Sequence, residues 1–268
     1  MNRKKILTFF TFLSISILSR GADINKDLFL YLPMDEGSGN VKDYGPNNFK
    51  TKMSENTPKW VGGKKDTFGK ALQFDGHSNF VKVDAASQGY DFDAHFDKSK
   101  GMTICSWVKV RETGTDKHGQ MRQPIVMKGG LKEWEFALYV YDSLQPGISV
   151  WGCKTGGGDT WGGNLGNEWH YQCGTYSIKD GMKLYLDGTE KVIAQGDNIG
   201  DPCAEGNHPI FIAHREDGQW LNAEIAQVRM WERVITVAEM ALAMNTNSLA
   251  VRRFNKLPVA WAEVKSKL

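Results

Sequence analysis

The 268-residue sequence predicts an all-β fold, a two-sheet antiparallel sandwich or jelly roll. Three observations carry that prediction. From Leu28 to Trp231, short runs of β-branched and aromatic residues are cut by glycines, and hardly a helical period occurs among them. Several runs alternate with a period of two, the signature of strands with distinct faces. Around a dozen such runs occur in one chain, the number that a sandwich or jelly roll needs.

The N-terminus comes first. Arg3, Lys4 and Lys5 precede an uncharged apolar run from Ile6 to Leu18, followed by small residues around Ser19, Gly21 and Ala22. This is the layout of a secretory signal peptide. The run is shorter than the roughly 20 residues needed to span a bilayer, and no second long apolar stretch follows. The expectation is a signal peptide over 1–21, one domain over 22–248 and a short tail over 249–268, in a protein that is secreted, held at the cell surface or periplasmic. Taking Arg3, Lys4, Lys5 and Arg20 from the 33 basic residues leaves 29 against 31 acidic ones. A near-neutral mature chain has no broad pull toward nucleic acid, and the basic residues of the tail suit solubility. No membrane span is expected in the mature chain.

The strands follow. Candidates are "LFLYLPM", "ALQF", "FVKV", "MTICSWVKV", "PIVMK", "EWEFALYVY", "GISVW", "EWHYQCGTY", "MKLYLDG", "KVIAQ", "PIFIA" and "EIAQVRMW". In "MTICSWVKV", Met102, Ile104, Val108 and Val110 share one side, and Thr103, Cys105, Trp107 and Lys109 the other. In "EWHYQCGTY", Trp169, Tyr171 and Cys173 share a face. Antiparallel pairing of these two strands would set two thiols opposite each other. Counting alone leaves three pairings open for Cys105, Cys153, Cys173 and Cys203. Cys105 and Cys173 lie mid-strand, whereas Cys153 and Cys203 lie in glycine-rich, turn-forming sequence. No C-x2-C pair or H-E-x-x-H motif points to zinc.

After the last strand, "ITVAEMALAMN" carries Thr236 and Glu239 at capping-box spacing, with Val237, Met240, Ala241 and Met244 at helical intervals. A short C-terminal helix is expected.

The blocks "YLPMDEGSGNVKDYGPNNFKTKM", "GKALQFDGHSNFVKVD", "MTICSWVKV", "EWHYQCGTYSIKDGMKLYLDGTEK" and "AEIAQVRMWERVITVAEM" occur in the order expected of the LamG-like jellyroll family. That family lies within the concanavalin A-like lectin and glucanase group, and the resemblance covers nearly the whole mature chain. It implies a jelly roll with loops at a rim where relatives often bind sugars or calcium. In one detail the chain resembles pentraxins, whose corresponding strands are joined by a disulfide. That resemblance implies Cys105 with Cys173, and leaves Cys153 with Cys203. The group includes lectins, adhesion modules, glucanases and lyases, so the fold alone implies no single activity.

The chemistry-bearing residues narrow the choice. The E-x-D-x-E strand of family glucanases is absent. Glu133 and Glu135, the nearest pair, suit a solvated face, and no G-x-S-x-G or cysteine nucleophile signature occurs. Calcium would need six to eight oxygen ligands. If a cofactor is bound, it is expected to be calcium, with Glu216, Asp217, Asp197, Asn198 and Asp201 as the candidate ligands. Asp217 fits the pentraxin rim-loop pattern, whereas Arg215 stands where those relatives use an acid. Relatives often have an Asp-Glu pair in the last strand, and here Ala226 and Gln227 occupy it. For sugars, the glycine-rich stretch "WGCKTGGGDTWGGNLGNEW", read as a loop, offers Trp151, Asp159, Trp161 and Asn164: aromatic planes for stacking beside groups that bond hydroxyls.

The function to expect is therefore an exported, non-catalytic recognition or adhesion module for a glycan or glycoprotein surface. The alternatives are a glycoside hydrolase or polysaccharide lyase of the same fold, and a structural protein-interaction domain.

Overall fold

The computed structural model describes residues 23–92, 100–112, 122–129, 134–141, 143–152, 156–189, 194–196, 208–216 and 218–246. Two large antiparallel sheets dominate. The first runs in the order β13 (Ala194–Gly196), β12 (Gly181–Leu186), β11 (His170–Ser177), β6 (Met102–Glu112), β17 (Asn222–Trp231), β4 (Lys70–Asp75), β3 (Lys59–Gly62), with β1 (Leu28–Leu32) paired to β17. The second runs β10 (Gly156–Trp161), β9 (Pro146–Gly152), β8 (Trp134–Tyr141), β7 (Arg122–Gly129), β14 (Ile210–Ile212), β5 (Val81–Val83), β2 (Thr51–Met53). A small hairpin joins β15 (His214–Arg215) to β16 (Gln219–Trp220). Among the described residues no helix is long and apolar enough to cross a membrane.

The alternation read in the sequence sorts the side chains into layers. Ile104, Val108 and Val110 of the first sheet meet Val126, Leu138, Val140, Ile148 and Val150 of the second in the main core. Gly174 lets the sheets approach here, because a Cβ at that position would lie 2.6 Å from Ile148 Cδ1. Buried Gln172 crosses the layer, its amide nitrogen donating at 3.0 Å to the carbonyls of both Tyr139 and Gly147.

The other face of β6 and β11 forms a second core. Cys105, Trp107, Tyr171 and Cys173 pack there with Tyr31, Phe68, Ile235, Met240 and Ala243. Cys105 and Cys173 are direct register partners, joined by a disulfide across a Cα separation of 4.1 Å. The cross-strand pairing expected from the two alternating strands is thus present. The remaining pair, Cys153 and Cys203, lies outside the described residues.

Helix α1 (Val237–Asn245) roofs this second core. Its start is fixed by the expected capping box: Glu239 N donates to Thr236 Oγ1 at 3.2 Å, and Thr236 N donates to Glu239 Oε2 at 2.8 Å. Its end is closed from the sheet. Arg229, 1 % exposed, donates to the carbonyls of Ala243 and Thr246 at 2.7 Å each. A guanidinium at a helix C-terminus satisfies orphan carbonyls and complements the helix dipole. Arg229 reaches them past a bulge in β17, where Gln227 adopts φ 56° and its amide oxygen accepts from both Tyr31 and Arg229. Gln227 thus serves as a hydrogen-bond acceptor in the scaffold.

Five strands were not foreseen. β2, β3, β15 and β16 are only two to four residues long. The fifth is β10, where the sequence suggested a glycine-rich loop.

Candidate ligand-binding groove

The outer face of the second sheet carries the polar and aromatic residues most suited to a ligand. Because Phe136, Leu138 and Val140 point into the main core, Ala137, Tyr139 and Tyr141 of β8 point away from it and cluster with Met127 of β7. Register extends this face sideways. Asp159 lies opposite Ser149, Ser149 opposite Ala137, and Ala137 opposite Met127, while Trp161 lies opposite Gly147 and Gly147 opposite Tyr139.

The expectation of a loop site is corrected accordingly. Trp151 sits on β9, Asp159 and Trp161 sit on the edge strand β10, and all three are positioned by sheet pairing. Four of the six residues of β10 are Gly156, Gly157, Gly158 and Thr160, too little side chain for a period-two pattern to show. Asn164 lies beyond the strand, in a turn, where its side-chain oxygen accepts from Gly166 N at 2.7 Å. That bond shapes the turn.

Trp161 is 46 % exposed, and its ring lies 4.7 Å from that of Tyr141, which in turn lies 5.2 Å from Tyr139. The three rings form a graded series from solvent to interior. Beside them Arg122 and Asp159 form an ion pair that bridges β7 and β10, with β8 and β9 between those strands in the sheet. Arg122 Nε also points to the Tyr141 hydroxyl at 3.4 Å. Trp151 Nε1 donates to Ser149 Oγ at 2.8 Å.

Between this ladder and the β15–β16 hairpin runs a groove. It is small, with room for about one water molecule, and is lined by Arg122, Pro124, Met127, Ala137, Tyr139, Ser149, Arg215 and Gln219. The Tyr139 hydroxyl and Asp159 Oδ1 are buried and make no hydrogen bond. Burial first, then the nearby Asp159 charge, pushes the Tyr139 phenol well above its ordinary value, so it remains an O–H donor. At the far side His214 stacks on Trp220 at 3.9 Å and on Phe80 at 5.1 Å, and burial lowers its pKa to about 4.

Arg122, Tyr139, Tyr141, Ser149, Arg215 and Gln219 were not singled out from the sequence as ligand-binding residues. For the tyrosines a signal existed: in "FALYVY" both alternating sets are apolar or aromatic, which marks a strand with a second covered face. The meeting of Arg122 with Asp159 depends on sheet order and left no local mark.

Of the calcium candidates, Glu216 is described and lies exposed in the turn between β15 and β16. Asp217, Asp197, Asn198 and Asp201 lie outside the described residues, as does Glu133. Among the described residues no group of three or more acidic, histidine or cysteine side chains converges on a point. Glu216 alone does not make the oxygen cage that calcium requires.

Residues 75–241 match the family model of the concanavalin A-like lectin/glucanases superfamily, and the chain belongs to that superfamily. Solved structures agree on the fold. The binding domain of Paraclostridial Mosquitocidal Protein 1 superposes with a TM-score of 0.63 at 14% identity, over 83% of this chain and 53% of that one. The binding domain of botulinum neurotoxin DC, solved in complex with SialylT, gives 0.61 at 12%, over 83% and 52%. A botulinum neurotoxin type C structure gives 0.58 at 13%, over 83% and 52%. The chain therefore spans about half the length of these structures, and at such identities the likeness is one of fold. No curated protein is a significant sequence match.

Proposed function

We propose that this protein is an exported, non-catalytic binding module for glycans or glycosylated surfaces, and that binding runs along the outer face of the second sheet. The observation that carries this reading is Trp161. A large ring nearly half exposed on an edge strand, braced by Tyr141 and flanked by the Arg122–Asp159 pair, is suited to stack on a sugar face while neighbouring polar groups bond its hydroxyls. Structures of similar fold support the reading by what they bind: one was solved with SialylT, and cell entry of botulinum neurotoxin type C depends on interaction with two ganglioside molecules.

The test is a glycan array probed with the mature protein, run with calcium and with chelator, alongside Trp161→Ala. The wild type is expected to bind a defined glycan set and the variant to lose it with little change in melting temperature. A variant that keeps full affinity, or that is strongly destabilised, would show Trp161 to be packing.

A further inference from the structure

We propose that the ligand is an extended, linear chain of equatorially linked pyranoses, held along β9 and β10 by two tryptophans at once rather than by a single sugar at Trp161. This inference rests on the glycan reading above and specifies its ligand. Register carries it. Ile148 and Val150 point into the main core, so Gly147, Ser149 and Trp151 of β9 share the outer face, and their partners Trp161, Asp159 and Gly157 of β10 share it with them. Along the strand pair the order is therefore Trp151 beside Gly157, Ser149 beside Asp159, and Gly147 beside Trp161. Each tryptophan faces a glycine, so no cross-strand side chain stands next to either indole. Between them the surface is low: Ser149 is 1 % exposed, and the side chain of Asp159, engaged by Arg122, 10 %. Neither residue rises between the rings.

The spacing sets the length of the ligand. Gly147 and Trp151 are four residues apart on β9, so the two tryptophans are offset by roughly 14 Å along the strands, more than one pyranose covers and about the reach of a chain of three or four. Both rings are oriented by the protein. Trp151, partly exposed, donates from Nε1 to Ser149 Oγ at 2.8 Å, and Trp161 is braced by Tyr141. Aromatic planes held in place before the ligand arrives lose little freedom on binding. An indole takes a sugar through the C–H face of the ring, and equatorial linkage leaves such a face on every unit of a chain. Once one unit has stacked on Trp161, contact of a later unit with Trp151 is intramolecular, and only a ligand too short to reach it forgoes it.

Calorimetry with ladders of cello-, xylo- and chito-oligosaccharides, from monosaccharide to hexasaccharide, reads affinity against chain length. At least one ladder is expected to gain on the order of tenfold between the disaccharide and the tetrasaccharide, the worth of one added stacking contact, and then to level off. Trp151→Ala should erase that gain and bring the tetrasaccharide down to the disaccharide. Trp151→Leu keeps apolar bulk over Ser149 without an aromatic plane and should do the same, so it decides the matter should Trp151→Ala fail to fold. Three results would each overturn the two-tryptophan seat and leave the glycan reading standing: equal affinity along every ladder, a gain that survives the loss of Trp151, or no binding of any ladder by a protein that is positive on the array. No binding of any glycan, here or on the array, would overturn both.

Discussion

The ring of Tyr139 lies against the backbone of Gly147 in the neighbouring strand, so near that a Cβ on Gly147 would fall 2.5 Å from two of its ring carbons. The two residues are register partners, and both of their carbonyls are held from below by Gln172. The floor of the groove is therefore built on a glycine, and the tyrosine occupies the space that any other residue would fill. Gly147→Ala should displace the ring. The expected cost is about 1–3 kcal/mol, as for other overpacked buried sites, together with weaker glycan binding. Urea denaturation and calorimetry check the two effects separately, and an unchanged unfolding midpoint would contradict the close packing.

The cross-strand disulfide closes a segment with a sequence separation of 68. Replacing both cysteines by alanine is expected to lower stability by roughly 4 kcal/mol on the chain-entropy account. Denaturant curves of the double variant measure this. A loss below about 1 kcal/mol would mean that the unfolded chain is already compact around the two strands.

Arg229→Met keeps the volume of a buried side chain and removes the donors that close α1. The carbonyls of Ala243 and Thr246 then lose their partners, at a cost of about 1–3 kcal/mol for a buried acceptor left unmade. Faster amide exchange in α1 than in the strands should accompany the loss. Leu242→Gln, on the exposed side of the same helix, serves as the control and should shift stability by no more than ~0.5 kcal/mol. Equal effects of the two changes would count against the capping role.

His214 sets a pH dependence. Burial among Phe80, Phe211 and Trp220 holds its pKa near 4, against an ordinary 6.5. Above pH 6.5 the imidazole is neutral in both folded and unfolded chains, and its contribution to stability is complete. As pH falls from 6.5 toward 4 the unfolded chain takes up a proton that the folded one refuses, so stability declines through that window. Asp35, Glu36 and Asp43, whose carboxyl groups burial pushes up, act in the opposite sense from their ordinary values upward, and do so equally in wild type and variant, so the difference between the two isolates His214. Urea midpoints between pH 7 and 5 should therefore fall more steeply for the wild type than for His214→Phe; parallel slopes would rule out this residue as the source.

Much of the fold was legible because period-two alternation survives burial on both faces. Met102, Ile104, Val108 and Val110 were assigned to one layer and Cys105 and Trp107 to the other from spacing alone, and the two cores divide them in that way. The capping box of Thr236 and Glu239 was legible for a similar reason: its partners are three residues apart, so local sequence contains the whole interaction. Legibility failed where the partners are distant. Arg122 meets Asp159, and Arg229 meets the end of α1, through sheet order and a bulge that no local pattern announces. It failed again at β10, where glycines leave the alternation without side chains to display it, and three of the four residues placed on a loop there belong to the β9–β10 pair.

The sulfurs of Cys105 and Cys173 belong to the layer that α1 covers, and neither residue is more than 1 % exposed. Thiol–disulfide exchange requires an attacking thiolate to reach a sulfur in line, which the docked helix and its neighbours prevent. Reduction of the native protein must therefore wait for a local opening of that roof. The rate at which a small reductant cleaves the bond becomes a clock for that opening, and conversely an oxidant must complete the bond before the roof closes over it. In a reducing solution the molecule is protected by the lifetime of its closed state as well as by the strength of the bond.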